Sequence, residues 1–270
     1  MEIPFFKAHG AGNDFLFTWE SEASITDPAA VARAICHRHT GAGADGWVLM
    51  RTESGVDCDA SITLYNADGS VPELSGNGTR CAAALLIHQC RVSHPRIRIR
   101  TGAGVKELRL IERDGNRFVF EMNMGEPKLD PEGMKAAIDL PGRQVEATLM
   151  NVGNPQCVVI ADEFPADWRE TGAALERHKR FPNRTNVSFV KPAGEHAIEV
   201  LIWERGVGET QSSGTGSTGA AAAAILRGIA KSPVEVRTAA GPLQFRWDDG
   251  ATHLTGPAEI TASGTYFFGA

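Results

Sequence analysis

A chain of 270 residues, 42% hydrophobic and 22% charged, has the composition of a globular protein and is long enough for two domains with separate cores. Its net charge of −6 and pI near 5.8 supply no basic field for nucleic acid or for an anionic membrane surface. Cys36, Cys58, Cys81, Cys90 and Cys157 are scattered, odd in number and form no C-x-x-C pair, which argues against a disulfide framework and against a zinc site.

The N-terminal residues Met1 to Lys7 carry neither a basic region nor a long apolar one, and no apolar run reaches the length of a membrane span. A cytoplasmic location is expected. Ile3 to Lys7 reads as a strand, followed by the glycine-rich bend His9 to Asp14 and a second strand, Phe15 to Thr18. Asp27-Pro28 predicts the start of a helix over Ala29 to Cys36, with proline at the first helical position, where its missing N–H costs nothing. Cys36-His37-Arg38-His39 reads as a helix end with cations near its negative pole. Metal ligands are not expected there, because residues two apart do not share a helix face.

A second glycine-rich loop, Thr40 to Gly46, leads into strands at Trp47 to Met50 and, after Ser54-Gly55, at Ala60 to Tyr65. Asn66 to Ser70 reads as a tight turn before a helix that ends near Gln89-Cys90. Strands follow at Ile97 to Arg100 and Val105 to Ile111. Asp114-Gly115-Asn116 is a hairpin signal, and the domain boundary is placed beside it: 1–117 as an N-terminal lobe completed by 262–270, and 118–261 as a C-terminal lobe. Phe118 to Met122 and Cys157 to Ile160 read as strands, Trp168 to His178 as a helix, and Thr185 to Val190 and Glu195 to Trp203 as strands. Val234 to Arg237, Leu243 to Trp247 and Gly264 to Phe268 read as closing strands.

One pattern occurs twice. Ser75-Gly76-Asn77-Gly78-Thr79 and Ser213-Gly214-Thr215-Gly216-Ser217 each enter an alanine-rich segment, and Ser213 stands 138 residues after Ser75. The same offset lays Ile62 to Asn66 on Val200 to Glu204, so a strand, a loop and a helix repeat together. Two long halves point to an internal duplication rather than to short stacked units. Each motif concentrates backbone N–H groups at a helix start, a site suited to a carboxylate or phosphate.

Other readings of these motifs fail on context. Gly214 to Gly219 fits G-x-G-x-x-G, but about ten polar and glycine residues separate it from Trp203, where a dinucleotide fingerprint follows its strand at once. No G-x-x-x-x-G-K-[ST] and no G-x-S-x-G occur. Neither serine has a histidine near it in sequence to act as its base.

Gly12-Asn13-Asp14-Phe15, Arg38 to Gly46, Tyr65 to Ser70, Gly76 to Cys81, Asn151 to Pro155, Thr185-Asn186-Val187 and Glu204 to Thr210 together resemble the signatures of the diaminopimelate epimerase family, nearly end to end. The resemblance implies an α+β fold of two pseudo-symmetric lobes, each a mainly antiparallel sheet wrapped around a central helix, with the substrate held between them. It implies epimerisation of LL- to meso-diaminopimelate, in lysine biosynthesis, without pyridoxal phosphate, another cofactor or a metal. A small amino acid or carboxylic acid is the expected ligand, and a homodimer is compatible with it.

Carried over residue by residue, the expected ligand shell is Asn13, Asn66, Asn154, Asn186 and Arg205 with the backbone of Gly76, Asn77, Gly214 and Thr215, while Glu204 orients or assists the second proton-transfer position. The family's two catalytic cysteines fall on Ser75 and Ser213, and its histidine after Asn-Pro falls on Gln156. Cys81, two turns into its helix, is expected to be a packed thiol. A cysteine begins near pKa 8.5 and reaches neutrality with a shift of about one or two units. An alcohol begins higher than burial and charge can correct, so Ser75 and Ser213 are expected to be poor in proton transfer. Three accounts fit: an epimerase frozen by substitution, a relative with changed chemistry that uses Glu204 or a water as base for elimination or isomerisation, and a binding protein without turnover. Gln156 weighs against the first, because trapping requires only the cysteines to change.

Overall fold

The computed structural model of the chain describes residues 1–53 and 57–269. Ser54-Gly55 and Ala270 lie outside the described residues. The chain forms two compact units, Met1–Met122 with Gly256–Ala270, and Asn123–Thr255. Its passages between them fall inside two strands.

The first unit contains β1 (Glu2–Gly10), β2 (Asn13–Trp19), α1 (Pro28–Ile35), β3 (Gly46–Thr52), β4 (Ala60–Asn66), α2 (Gly76–His88), β5 (Arg96–Thr101), β6 (Gly104–Asp114) and most of β7 (Arg117–Gly125). β1–β2 and β3–β4 pair antiparallel, β2–β3 and β4–β5 parallel, and β5–β6 and β6–β7 antiparallel. Each parallel step needs a long crossover, and α1 and α2 supply them. α1 starts as the sequence predicts, with Asp27 accepting the Ala30 N–H at 3.0 Å and Pro28 in the first turn. Val31, Ala32 and Ile35 of α1 pack on Leu16, Trp47 and Leu49.

The second unit contains β8 (Lys128–Leu129), β9 (Ala136–Leu140), β10 (Arg143–Asn151), β11 (Pro155–Ile160), α3 (Trp168–Glu176), β12 (Asn186–Pro192), β13 (Ala197–Glu204), β14 (Gly208–Thr210), α4 (Gly214–Leu226), β15 (Val234–Thr238), β16 (Gly241–Asp248) and the first part of β17 (Ala251–Phe267). β10–β11 and β12–β13 pair antiparallel, β11–β12 and β13–β15 parallel, and β15–β16 and β16–β17 antiparallel. This is the pairing order of the first unit, with α3 and α4 as the crossovers.

α2 and α4 carry thirteen residues each. Gly76 to Ile87 are buried, as are Gly214 to Ala224. A helix surrounded on all sides cannot be amphipathic, and alanine lets the flanking strands approach it closely. α2 touches β1, β2, β4 and β5, whereas α4 touches β10, β11, β12, β13, β15 and β16.

Two stretches differ from the sequence expectation. Residues 128–151 fold into β8, β9 and β10, where no element is predicted, and β17 begins at Ala251 rather than near Gly264. The buried positions of β17, Thr252, Leu254, Gly256, Ala258 and Ile260, alternate correctly. Three of them are too small or too polar to register as a hydrophobic stripe.

Candidate active site

Ser75 and Ser213 occupy equivalent places. Each is the N-cap of its buried helix in extended backbone, and its Oγ accepts the N–H three residues on: Gly78 at 3.1 Å for Ser75, Gly216 at 3.2 Å for Ser213. In the second unit the second glycine of the motif is set by space. A Cβ on Gly216 would come within 3.1 Å of Ser213 Cβ and 3.3 Å of Ile202 Cγ2. The caps thus consume one N–H at each helix start and hold each hydroxyl at the positive end of the helix.

Around Ser75 the first unit assembles Asn13, Asn77 and Arg80. Asn13, only 5% exposed, donates from Nδ2 to Asp45 Oδ2 at 2.8 Å and accepts on Oδ1 from Asn77 Nδ2 at 3.1 Å. Asn77 Oδ1 accepts from Arg80 Nη2, and Arg80 Nε donates to the Pro257 carbonyl at 3.3 Å. Burial brings Arg80 down to about 10, and its Nη1 has no partner among the described residues. Asn66 Nδ2 donates to Ser70 Oγ at 2.9 Å inside its own tight turn.

In the second unit, Ser213 Oγ donates to Glu204 Oε1 at 2.6 Å, the length of a charge-assisted O–H to carboxylate bond. Gln156 pairs in register with Asn186 across β11 and β12. Gln156 Nε2 donates to Asn154 Oδ1 at 2.6 Å, and Asn154 Nδ2 donates to Thr215 Oγ1 at 3.2 Å. Gln156 Oε1 is buried without a partner among the described residues, and the side chain lies over α4, where a Cβ on Gly219 would fall 2.9 Å from Gln156 Cγ. Asn186 Nδ2 donates to the Pro155 carbonyl at 3.1 Å, and its Oδ1 accepts Arg205 N at 3.0 Å. Arg205 Nη1 donates to the Asn183 carbonyl at 3.2 Å.

The expected site residues therefore gather in two sets: Asn13, Ser75, Gly76 and Asn77, with Asn66 nearby in sequence but engaged in its own turn, and Asn154, Gln156, Asn186, Glu204, Arg205, Ser213, Gly214 and Thr215. Sequence reasoning missed Asp45 and Arg80 as the groups that fix Asn13 and Asn77. Both lie inside the motifs that carry the family resemblance, which was the available signal.

A cavity opens beside Ser75, lined by Ile62, Leu64, Val71, Leu74, Ser75 and Thr101 among others. Positions 138 residues later, Val200, Ile202, Glu209 and Ala239, line a second cavity. Ser213 does not line the second cavity and is 2% exposed.

Three of the five thiols are unsuited to replace the serines. Burial pushes Cys81 and Cys157 up to about 12, and burial with the Asp14 and Asp45 charges does the same to Cys36. Such thiols remain protonated near neutrality and cannot serve as thiolate bases. Among the described residues, no group of three or more His, Cys, Asp or Glu could hold a metal ion, and no helix is long and apolar enough to cross a membrane.

The fold is shared with solved structures of other proteins. It aligns with a hydroxyproline epimerase from Agrobacterium vitis at TM-score 0.78 and 16% identity, covering 98% of this chain and 92% of that one. It also aligns with a PhzF-family phenazine biosynthesis protein from Bacillus anthracis at TM-score 0.72 and 11% identity, covering 99% and 100%. Sequence narrows the class. The diaminopimelate epimerase family matches residues 5–129 and 148–261. The diaminopimelate epimerase of Pelotomaculum thermopropionicum is 36% identical over 97% of this chain and 98% of its own, and that of Desulforudis audaxviator 37% identical over 98% and 99%. The chain belongs to the diaminopimelate epimerase family, as its motifs implied.

Proposed function

We propose that this chain is a cytoplasmic, cofactor-independent epimerase acting on LL-diaminopimelate to give the meso form, and that it runs slowly because hydroxyls stand where the family's thiols act. In this reading the duplicated units form two lobes, each with one capped helix start. The observation that carries it is the Ser213 to Glu204 hydrogen bond of 2.6 Å at a helix start. Glu204 gives the Ser213 hydroxyl somewhere to send its proton. As Ser213 Oγ takes the α-proton, its own proton passes to Glu204 Oε1, and the electron pair left on the α-carbon spreads into the substrate carboxylate.

Ser75 caps α2 in the same way, but among the described residues its hydroxyl donates to no carboxylate as Ser213 does to Glu204, so in this reading the Ser75 side limits inversion. A carboxylate-assisted alcohol is a weak base, which gives the expected low rate. The same pair is better matched to a more acidic C–H, and with Gln156 in place of histidine it supports a second reading: isomerisation or elimination on another small carboxylic acid.

The test is α-proton exchange in deuterated water, followed by NMR with LL-diaminopimelate. Slow exchange that rises steeply in the Ser75→Cys, Ser213→Cys double variant supports the epimerase. No exchange by either protein, with consumption of a different acid from a panel of small carboxylates, transfers the assignment to the second reading. A ligand-induced melting shift with no turnover of any acid leaves a binding protein.

A further inference from the structure

Asn13 is the end of a polar chain that reaches well away from Ser75. Arg38 donates to both oxygens of Asp14, at 3.0 and 2.7 Å, and to Asp45 Oδ1 at 2.7 Å. Lys7 Nζ lies 3.1 Å from Asp14 Oδ2 and donates to the Gly43 carbonyl at 2.6 Å. Asp14 and Asp45 exchange backbone-to-carboxylate bonds in both directions, Asp14 N to Asp45 Oδ2 at 3.2 Å and Asp45 N to Asp14 Oδ1 at 3.1 Å. Asp45 is thereby fixed by a cation, by a backbone N–H and by the return bond of its own N–H.

The oxygen of Asp45 facing Asn13 can only accept. An asparagine amide has nearly the same shape with its ends exchanged, so without a polar constraint either end can face a ligand. Asp45 and Asn77 together remove that freedom. Asn13 must turn Nδ2 toward Asp45, its Oδ1 is taken by Asn77 Nδ2, and one N–H remains. We propose that Asp45, anchored by Arg38, is a positioning residue that makes Asn13 a fixed donor, so that the ligand group meeting Asn13 is an acceptor such as a carboxylate oxygen and not an ammonium.

The ligand half of this inference rests on the function proposed above; the orientation half does not. Asp45→Asn offers Asn13 a donor as well as an acceptor and removes the acceptor-only partner that, with Asn77, fixes the amide. Combining Asn13→Asp with Asp45→Asn exchanges donor and acceptor across the pair at unchanged net charge, re-forming the bond between positions 13 and 45 in the reversed sense while giving up the Asp14 N–H bond to Oδ2, and position 13 then shows only acceptors to a ligand. A merely structural bond is restored by the exchange; a positioning bond is not.

Two measurements follow, with circular dichroism confirming that each variant folds. In the ligand-free protein, the side-chain amide signals of Asn13, assigned by their loss in Asn13→Ala, should show one Nδ2 proton protected from solvent exchange and one unprotected, and Asp45→Asn should erase that difference. In calorimetry with LL-diaminopimelate, Asp45→Asn should bind about tenfold more weakly or worse. The paired exchange should melt above Asp45→Asn yet bind no better. Equal exchange of both Asn13 protons in the wild type overturns the proposal, as does recovery of binding by the paired exchange. A wild type that binds no diaminopimelate fails the assigned substrate instead, and the amide measurement still decides the orientation.

Discussion

Ser75 and Ser213 cap buried helices of equal length and accept the same N–H, yet Ser213 donates to a carboxylate at 2.6 Å while Ser75 lines an open cavity. The difference traces to one pair of equivalent positions. Asn66 stands where the second unit has Glu204, and its amide closes a turn onto Ser70 instead of meeting the serine. A cap stabilises its helix by about 1 kcal/mol whatever chemistry occurs there, so duplication can preserve it in both units. Capping does not require a carboxylate beside the serine, so that position is free to differ.

The sharpest way to erase the contrast is to make both caps thiols. Ser75→Cys with Ser213→Cys should raise α-proton exchange of diaminopimelate by about 10²–10⁴-fold, with the gain appearing as pH approaches the thiol range. An unchanged rate breaks the assignment of both positions. Glu204→Gln removes the acceptor and should lower the residual exchange of the wild type by about 10²-fold while ligand binding, read by melting shift, persists.

Stability should treat the two sites alike. Ser75→Ala and Ser213→Ala should each cost about 1 kcal/mol in urea unfolding; a far larger loss at Ser213 would make Glu204 a structural partner before a chemical one. Cys81 should be silent. With its thiol pushed up to about 12 by burial, it should resist alkylation at pH 8 by mass spectrometry in the folded protein, and Cys81→Ala should leave exchange unchanged.

The smallest effect belongs to Asp14. Burial raises its carboxyl, but hydrogen bonds and charge from Arg38 and Lys7 outweigh burial and hold it below its ordinary value. A carboxyl depressed in the folded state stabilises above its unfolded value of about 3.9 and loses that contribution as pH falls through the lower folded value. Asp14→Asn should flatten the acid limb of the stability curve below that point.

Much of this was legible in the sequence because its signals are local. The Asp27-Pro28 start, the two serine caps and the 138-residue offset depend on neighbours in the chain, and the pairing order extends the offset from one strand, loop and helix to six successive strand pairings in each unit. Family motifs led to Asn13, Asn154, Asn186 and Glu204. What escaped depends on partners distant in sequence. β9 and β10 bury small residues such as Ala136 and Ala147, which carry little strand signal, and Asp45 reaches Asn13 across 32 residues. The turn of Asn66 toward Ser70 was also hidden, because the sequence places Asn66 and Glu204 at equivalent positions without saying where either side chain goes.

The most direct test of the inequality between the caps compares deuterium incorporation with inversion in the same sample. Wild-type protein, LL-diaminopimelate and deuterated water should give incorporation at the α-carbon with retained configuration faster than meso product accumulates, because the Ser213 and Glu204 side removes and returns the proton while the Ser75 side delivers one rarely. Incorporation and inversion at the same rate, or incorporation that survives Glu204→Gln undiminished, would contradict it.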